Sequence, residues 1–159
     1  MSSSVWLVMI ALNDTNEIFG NDTNEIFGDP GIGKTSFATK ISKSFFTKTA
    51  NTEKWWDGYE NQEVVILDDF YGWLSSAELF NLADSKPYYV QIKGGFIKFN
   101  SKVIVITSNK IPEHWWKRQT LLKYDMRAFD RRVTLTWHWT IAKQESYFGY
   151  AFNYNLTSD

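Results

Sequence analysis

The sequence predicts an α/β fold, and three features predict it. Two short runs, Val64–Leu67 and Val103–Ile106, are apolar without alternation, as strands buried on both faces are. Segments with helical spacing lie between and around such runs, and strands alternating with helices argue for α/β architecture. The glycine-rich run Gly28–Thr35 stands immediately ahead of a helical stripe, where a strand-to-helix turn belongs.

Taken in order, the chain opens on the apolar run Val5–Leu12. It is far shorter than a bilayer span and has no basic lead-in, so no membrane segment is expected. A perfect tandem repeat follows, with Asn13–Gly20 and Asn21–Gly28 both reading NDTNEIFG. Either Glu25–Phe27 forms a short strand ahead of the glycine-rich turn, or Val5–Leu12 is that strand and a long loop intervenes; the first is the expectation here. Phe37, Ile41 and Phe45, with Ala38 beside them, form one apolar helical stripe opening at Lys34. Ser75-x-x-Glu78 is a capping box for a helix ending before Pro87. Tyr88–Ile92 and Phe96–Phe99 flank Lys93-Gly94-Gly95 and predict a hairpin. Val133, Leu135, Trp137 and Trp139 alternate with polar residues, which predicts a late strand with one buried face.

Composition narrows the function classes. Apolar residues are 43% and charged residues 22%, ordinary for a globular domain, and 159 residues suit one core. With no cysteine, disulfides and thiolate sites are excluded, and with only His114 and His138 a histidine metal cluster is not expected. A net charge of −1 hides an asymmetry. Residues 53–84 carry eight acids and one base, and residues 93–132 carry ten bases and three acids. Such a basic second half suits a polyanion. The aromatic load of 8 Trp, 8 Tyr and 12 Phe fits a ring-rich core, with some rings available to stack on bases.

The chemistry is concentrated at three strand ends. Gly28, Asp29, Pro30, Gly31, Ile32, Gly33, Lys34 and Thr35 fit G-x-x-x-x-G-K-[ST], a phosphate-binding loop. In such a loop backbone N–H groups converge on phosphate oxygens, the lysine reaches the β- and γ-phosphates, and the threonine hydroxyl takes a place on Mg²⁺. Val64–Leu67 ends in Asp68-Asp69. There Asp68 is expected to hold Mg²⁺, mostly through water, and Asp69 to orient and deprotonate the attacking water. Thr107-Ser108-Asn109 ends the other apolar strand, where a polar side chain can sense the γ-phosphate. Asn109-Lys110 begins like a guanine-specificity motif, but Pro112 stands where its aspartate is needed, which argues against a GTPase. The expected cofactors are therefore ATP and Mg²⁺.

Trp55-Trp56-Asp57-Gly58-Tyr59, Val64–Asp69, Phe70-Tyr71-Gly72-Trp73, Lys93-Gly94-Gly95 and Ile106-Thr107-Ser108-Asn109 occur in that order. Together they resemble the superfamily 3 helicase domain of circovirus-type replication-associated (Rep) proteins, over residues 28–132. The resemblance implies an AAA+-like P-loop NTPase with a parallel sheet flanked by helices, working as a homo-oligomeric ring around single-stranded DNA or RNA. It also implies that Lys93 is the hairpin lysine gripping the strand, Asn109 the sensor, and Arg131 or Arg132 the arginine finger. Residues 1–24 are then an atypical N-terminal segment, 25–140 the helicase domain and 141–159 a tail. No histidine precedes Gly28, so the nicking and joining activity of Rep proteins is not expected. An intracellular protein, nuclear by family analogy, is expected. Two alternatives stay open: a nucleotide-binding remnant whose first strand is disrupted by the duplication, and a small-molecule phosphotransferase.

Overall fold

A computed structural model describes residues 5–12, 44–116, 123–139 and 144–148. The phosphate-loop motif, the helix expected after it and Glu25–Phe27 lie outside the described residues.

The predicted α/β class holds. Six strands form one sheet, and β1 (Val5–Ala11), β2 (Phe45–Lys48), β3 (Val64–Leu67), β6 (Val103–Ser108), β7 (Leu135–Trp139) and β8 (Gln144–Phe148) lie in the order β2-β3-β6-β1-β7-β8. The strands β2, β3 and β6 are mutually parallel, with Val64 opposite Val103 and Leu67 opposite Ile106. β1 runs antiparallel to both β6 and β7, so the first three and β7 point one way while β1 and β8 point the other. Helix α1 (Ser76–Leu82), helix α2 (Lys123–Arg132) and the hairpin β4 (Tyr89–Ile92)–β5 (Gly95–Lys98) complete the described elements. The sheet thus takes strands from both sides of residues 25–140.

Strand alternation sorts the core into two faces. Trp6, Val8, Ile10, Val65, Leu67, Ile104 and Ile106 face the ring-rich side, where Trp56, Tyr59, Phe70, Trp115 and Trp116 gather with Leu79 of α1 and Phe129 of α2. Leu7, Met9, Val64, Ile66, Val103 and Val105 face the other side with Trp137. β3 and β6 are buried along their whole length, as their unbroken apolar runs require.

Several expectations are met locally. Ser75 caps α1 by accepting the Glu78 N–H at 3.1 Å, and the helix ends before Pro87. The hairpin turns at Lys93-Gly94, with Gly94 at φ +100°, a backbone state that glycine adopts without a Cβ penalty.

Two expectations change. Phe45 does not extend a helix; it opens β2 opposite Val64, because packing against β3 overrides a four-residue spacing shared by chance. The late strand begins at Leu135, and both its faces are covered, with Thr136 0% and Trp137 2% exposed. It lies between β1 and β8, which pair with both of its edges. Val5–Ala11 forms a strand in the centre of the sheet, while Glu25–Phe27, expected as the strand ahead of the phosphate loop, lies outside the described residues. Because β1 is antiparallel, it ends at Val103, the edge opposite Asp68 and Thr107. No helix among the described residues is long and apolar enough to cross a membrane.

Candidate functional site

Parallel pairing brings the ends of β3 and β6 to one edge of the sheet, the edge where α/β folds bind ligands. Beyond Leu67 the chain turns through Asp68, half-buried, and Asp69, exposed. Asp69 adopts φ +52°, uncommon outside glycine, and such strain persists only where neighbours fix it. Those neighbours are visible. Asp69 N–H donates to Thr107 Oγ1 at 3.1 Å, and Trp73 Nε1 donates to the Asp69 carbonyl at 3.1 Å. Phe70 N–H donates to the Thr107 carbonyl at 2.7 Å.

Thr107 also donates its hydroxyl to Asp68 Oδ1 at 2.9 Å. One fully buried hydroxyl therefore orients the Asp68 carboxylate and fixes the Asp69 backbone. The three polar residues ending β6 divide their work. Ser108 is buried, accepts the N–H groups of Lys110 and Trp115 at 2.9 Å each, and lies against the Phe70 carbonyl. Asn109 is exposed just beyond it. Gly72 has φ +100°, and a Cβ there would lie 1.8 Å from the Trp115 carbonyl oxygen, so the turn after the carboxylates packs backbone to backbone.

Sequence reasoning missed Lys48. It ends β2 beside Leu67, is 0% exposed, and its carbonyl accepts the Asp68 N–H at 3.0 Å. Its ammonium donates to Thr52 Oγ1 and to the Trp55 carbonyl, each at 2.7 Å, and lies 5.2 Å from the Trp56 ring centroid. Burial pushes its pKa down to about 8, against the pull of Glu78 and Asp57. Burial likewise raises the Glu78 carboxyl, with Lys48 pulling it back. Only a lysine at the end of a short apolar-aromatic run signals this in the sequence.

From Lys48 the same hydrogen bonding continues to the hairpin. Trp56 N–H donates to the Gln91 carbonyl at 2.8 Å, and Lys93 N–H donates to Asp57 Oδ1 at 2.7 Å. Lys93 itself stands exposed at the tip. At the end of α2 the two arginines differ: Arg131 is exposed, while Arg132 donates to the Ala128 carbonyl at 2.9 Å and lies 5.1 Å from the Phe80 ring centroid.

The structure thus brings Asp68, Asp69 and Asn109 to one edge, and places Lys93 on the hairpin and Arg131 and Arg132 on α2. Gly28, Asp29, Pro30, Gly31, Ile32, Gly33, Lys34 and Thr35 lie outside the described residues. Among the described residues no group of three metal-ligating side chains occurs. Asp68 keeps one oxygen unengaged by a described residue, which suits Mg²⁺ held by one or two carboxylates and phosphate oxygens.

The family described as RNA helicase matches residues 25–110. The chain is 42% identical over 116 residues to the replication-associated protein of beak and feather disease virus, covering 73% of this chain and 38% of that protein. It is 42% identical over 111 residues to that of pigeon circovirus (69% and 33%), and 40% over 120 residues to that of porcine circovirus 1 (74% and 37%). The chain therefore spans less than two fifths of the length of these relatives. With the strand-end carboxylates and the lysine hairpin in place, the match shows that the chain belongs to the RNA helicase family, in the superfamily 3 type carried by circovirus replication-associated proteins.

Proposed function

We propose that this chain is an ATP-dependent helicase or translocase domain of a viral-type replication protein, moving on single-stranded DNA or RNA. The observation that carries the reading is the Asp68–Asp69 turn, held by Thr107 at the carboxyl edge of the sheet in a chain that also carries Gly28–Thr35. Family membership implies nucleotide use.

In this reading Gly28–Gly33 cradle the phosphates with backbone N–H groups, and Lys34 offsets charge on two of them. Thr35 and Asp68 hold the Mg²⁺, whose charge, when bound, offsets that developing on the phosphoryl oxygens. Asp69 orients the attacking water and takes its proton. Asn109 contacts the γ-phosphate. An arginine from the adjacent subunit of a ring completes the site, and Arg131, exposed where Arg132 is engaged, is the better placed. Lys93 grips the strand, and the bonds from Asp68 through Lys48 and Trp55–Asp57 link the two sites.

A second reading, a nucleotide-binding remnant without turnover, draws on one observation. β1, which precedes the loop in the sequence, ends at the edge of the sheet away from Asp68. Nucleotide binding and turnover of Lys34→Ala and Asp69→Asn test the proposal. Lys34→Ala should lose tight ATP binding, and Asp69→Asn should bind ATP but not hydrolyse it. A parent that binds without turnover is the remnant, and near-parental hydrolysis by Asp69→Asn would remove Asp69 as the base.

A further inference from the structure

We propose that the outward face of the β4–β5 hairpin is a base-stacking platform for single-stranded nucleic acid, with Tyr89 and Phe96 as its rings and Lys54 and Lys98 as its phosphate contacts. It deepens the nucleic-acid reading given above and rests on it.

The hairpin register defines the face. Tyr89 pairs with Lys98 and Gln91 with Phe96, while Val90, Ile92 and Ile97 turn inward onto the main core cluster. Tyr89 is left 56% and Phe96 67% exposed, two of the three large exposed hydrophobics among the described residues. A ring in water forgoes roughly 1.5–3 kcal/mol of burial, so two on one face of a two-stranded ribbon mark a surface with a use. They sit diagonally across the ladder, where side chains are roughly 7–8 Å apart. That is about twice the ~3.4 Å stacking repeat of a nucleic-acid strand, the gap one base fills between two rings.

The surrounding charge selects the occupant. Lys98 and Lys93 are exposed, as is Lys54, whose ammonium lies 4.9 Å from the Trp55 ring centroid. None of the three forms a salt bridge with a described residue. Trp55 is bridged to Gln91, so Lys54 is carried alongside the hairpin. Between hairpin and α1 a cleft of about 410 Å³ opens, lined by Lys54, Glu78, Gln91, Tyr89 and Phe96 among others. Glu78 interacts electrostatically with Lys48 there. Protein interfaces are depleted in lysine at their centres. Rings alternating with exposed lysines are instead the pattern of sequence-tolerant single-strand binding, in which the rings stack and the cations follow the backbone.

The test measures binding of the full chain to a fluorescent oligothymidylate and to an abasic strand of equal length, across a salt series. Tyr89 and Phe96 are exposed, so replacing them leaves the core intact. Phe96→Ala and Tyr89→Ala should each weaken oligothymidylate binding by about five- to a hundredfold, as loss of one stacked base does. Both should leave abasic binding and the salt slope unchanged, and Phe96→Trp should restore affinity. Lys98→Ala should lower the salt slope by about 0.7 on both strands. Equal weakening on both strands, or none, would overturn the platform. So would a change in oligomeric state in Phe96→Ala, which would mark the face as a contact between copies. If the parent binds strands through Lys93 while both ring variants bind like it, the platform alone fails; if the parent binds neither strand, the nucleic-acid reading fails with it.

Discussion

The Thr107 hydroxyl donates to Asp68 Oδ1 at 2.9 Å while accepting the Asp69 N–H at 3.1 Å, so the end of β6 orients the Asp68 carboxylate and fixes the Asp69 backbone at the end of β3. Thr107→Val keeps the shape and removes both bonds. It leaves the Asp69 N–H without its partner, at a cost of about 1–3 kcal/mol. ATP affinity should change little and kcat should fall at least tenfold. Steady-state kinetics beside thermal unfolding check this; an unchanged kcat in a folded variant would make the bridge merely structural.

Lys48 gives a pH prediction. Its folded pKa, about 8, lies below the ordinary 10.5, so between these values the unfolded chain binds more protons than the folded one. Stability therefore rises with pH across that window, and the penalty of the buried charge is fully present below pH 8. The shift corresponds to roughly 3 kcal/mol. Lys48→Met should lack this rise. Denaturant unfolding at pH 8 and pH 10 compares the two proteins, and the upward shifts of Tyr59 and Tyr88 are common to both. Parallel pH profiles would mean that Lys48 is not buried as a titrating amine.

Gly72 and Gly94 share φ +100° but not surroundings. A Cβ on Gly94 meets nothing within 4 Å, whereas on Gly72 it would meet the Trp115 carbonyl. Gly94→Ala should cost only the left-handed penalty, about 1–2 kcal/mol. Gly72→Ala should cost roughly 2–4 kcal/mol, because backbone has to move. Thermal melts of both rank them, and equal losses would contradict the close approach.

Arg131 and Arg132 test the shared site. Arg131→Ala should cut turnover roughly a thousandfold or more with little effect on ATP binding. Arg132→Ala should mainly loosen the packing against Phe80. Mixing Arg131→Ala with Lys34→Ala subunits should recover some hydrolysis, since some boundaries then pair an intact loop with an intact arginine. No recovery in confirmed mixed assemblies would place the arginine in cis or outside the site.

Much of this was legible because each signal was local. Val64–Leu67 and Val103–Ser108 announce buried strands by lacking any polar residue in their cores, and the acids and the threonine at their ends follow from where the runs stop. Ser75 and Glu78 give the cap of α1 by spacing alone. What stayed hidden depends on residues far apart in the chain. Phe45 reads as helical until β3 offers it a partner. The direction of β1 follows from pairing with β6 and β7, nearly a hundred residues or more away, and no period in Val5–Ala11 encodes it. Lys48 looks like any solvated lysine, because its burial is made by Thr52, Trp55, Trp56 and Trp73 folding over it.

The proposed function couples hydrolysis at Asp68–Asp69 to a strand held at Lys93. The most direct measurement is the ATPase rate of the chain with and without single-stranded DNA and RNA, for the parent and for Lys93→Ala. At least one strand type should stimulate the parent, and Lys93→Ala should keep the basal rate while losing most of the stimulation. A parent rate indifferent to both strands, or a Lys93→Ala protein stimulated as fully as the parent, would contradict it.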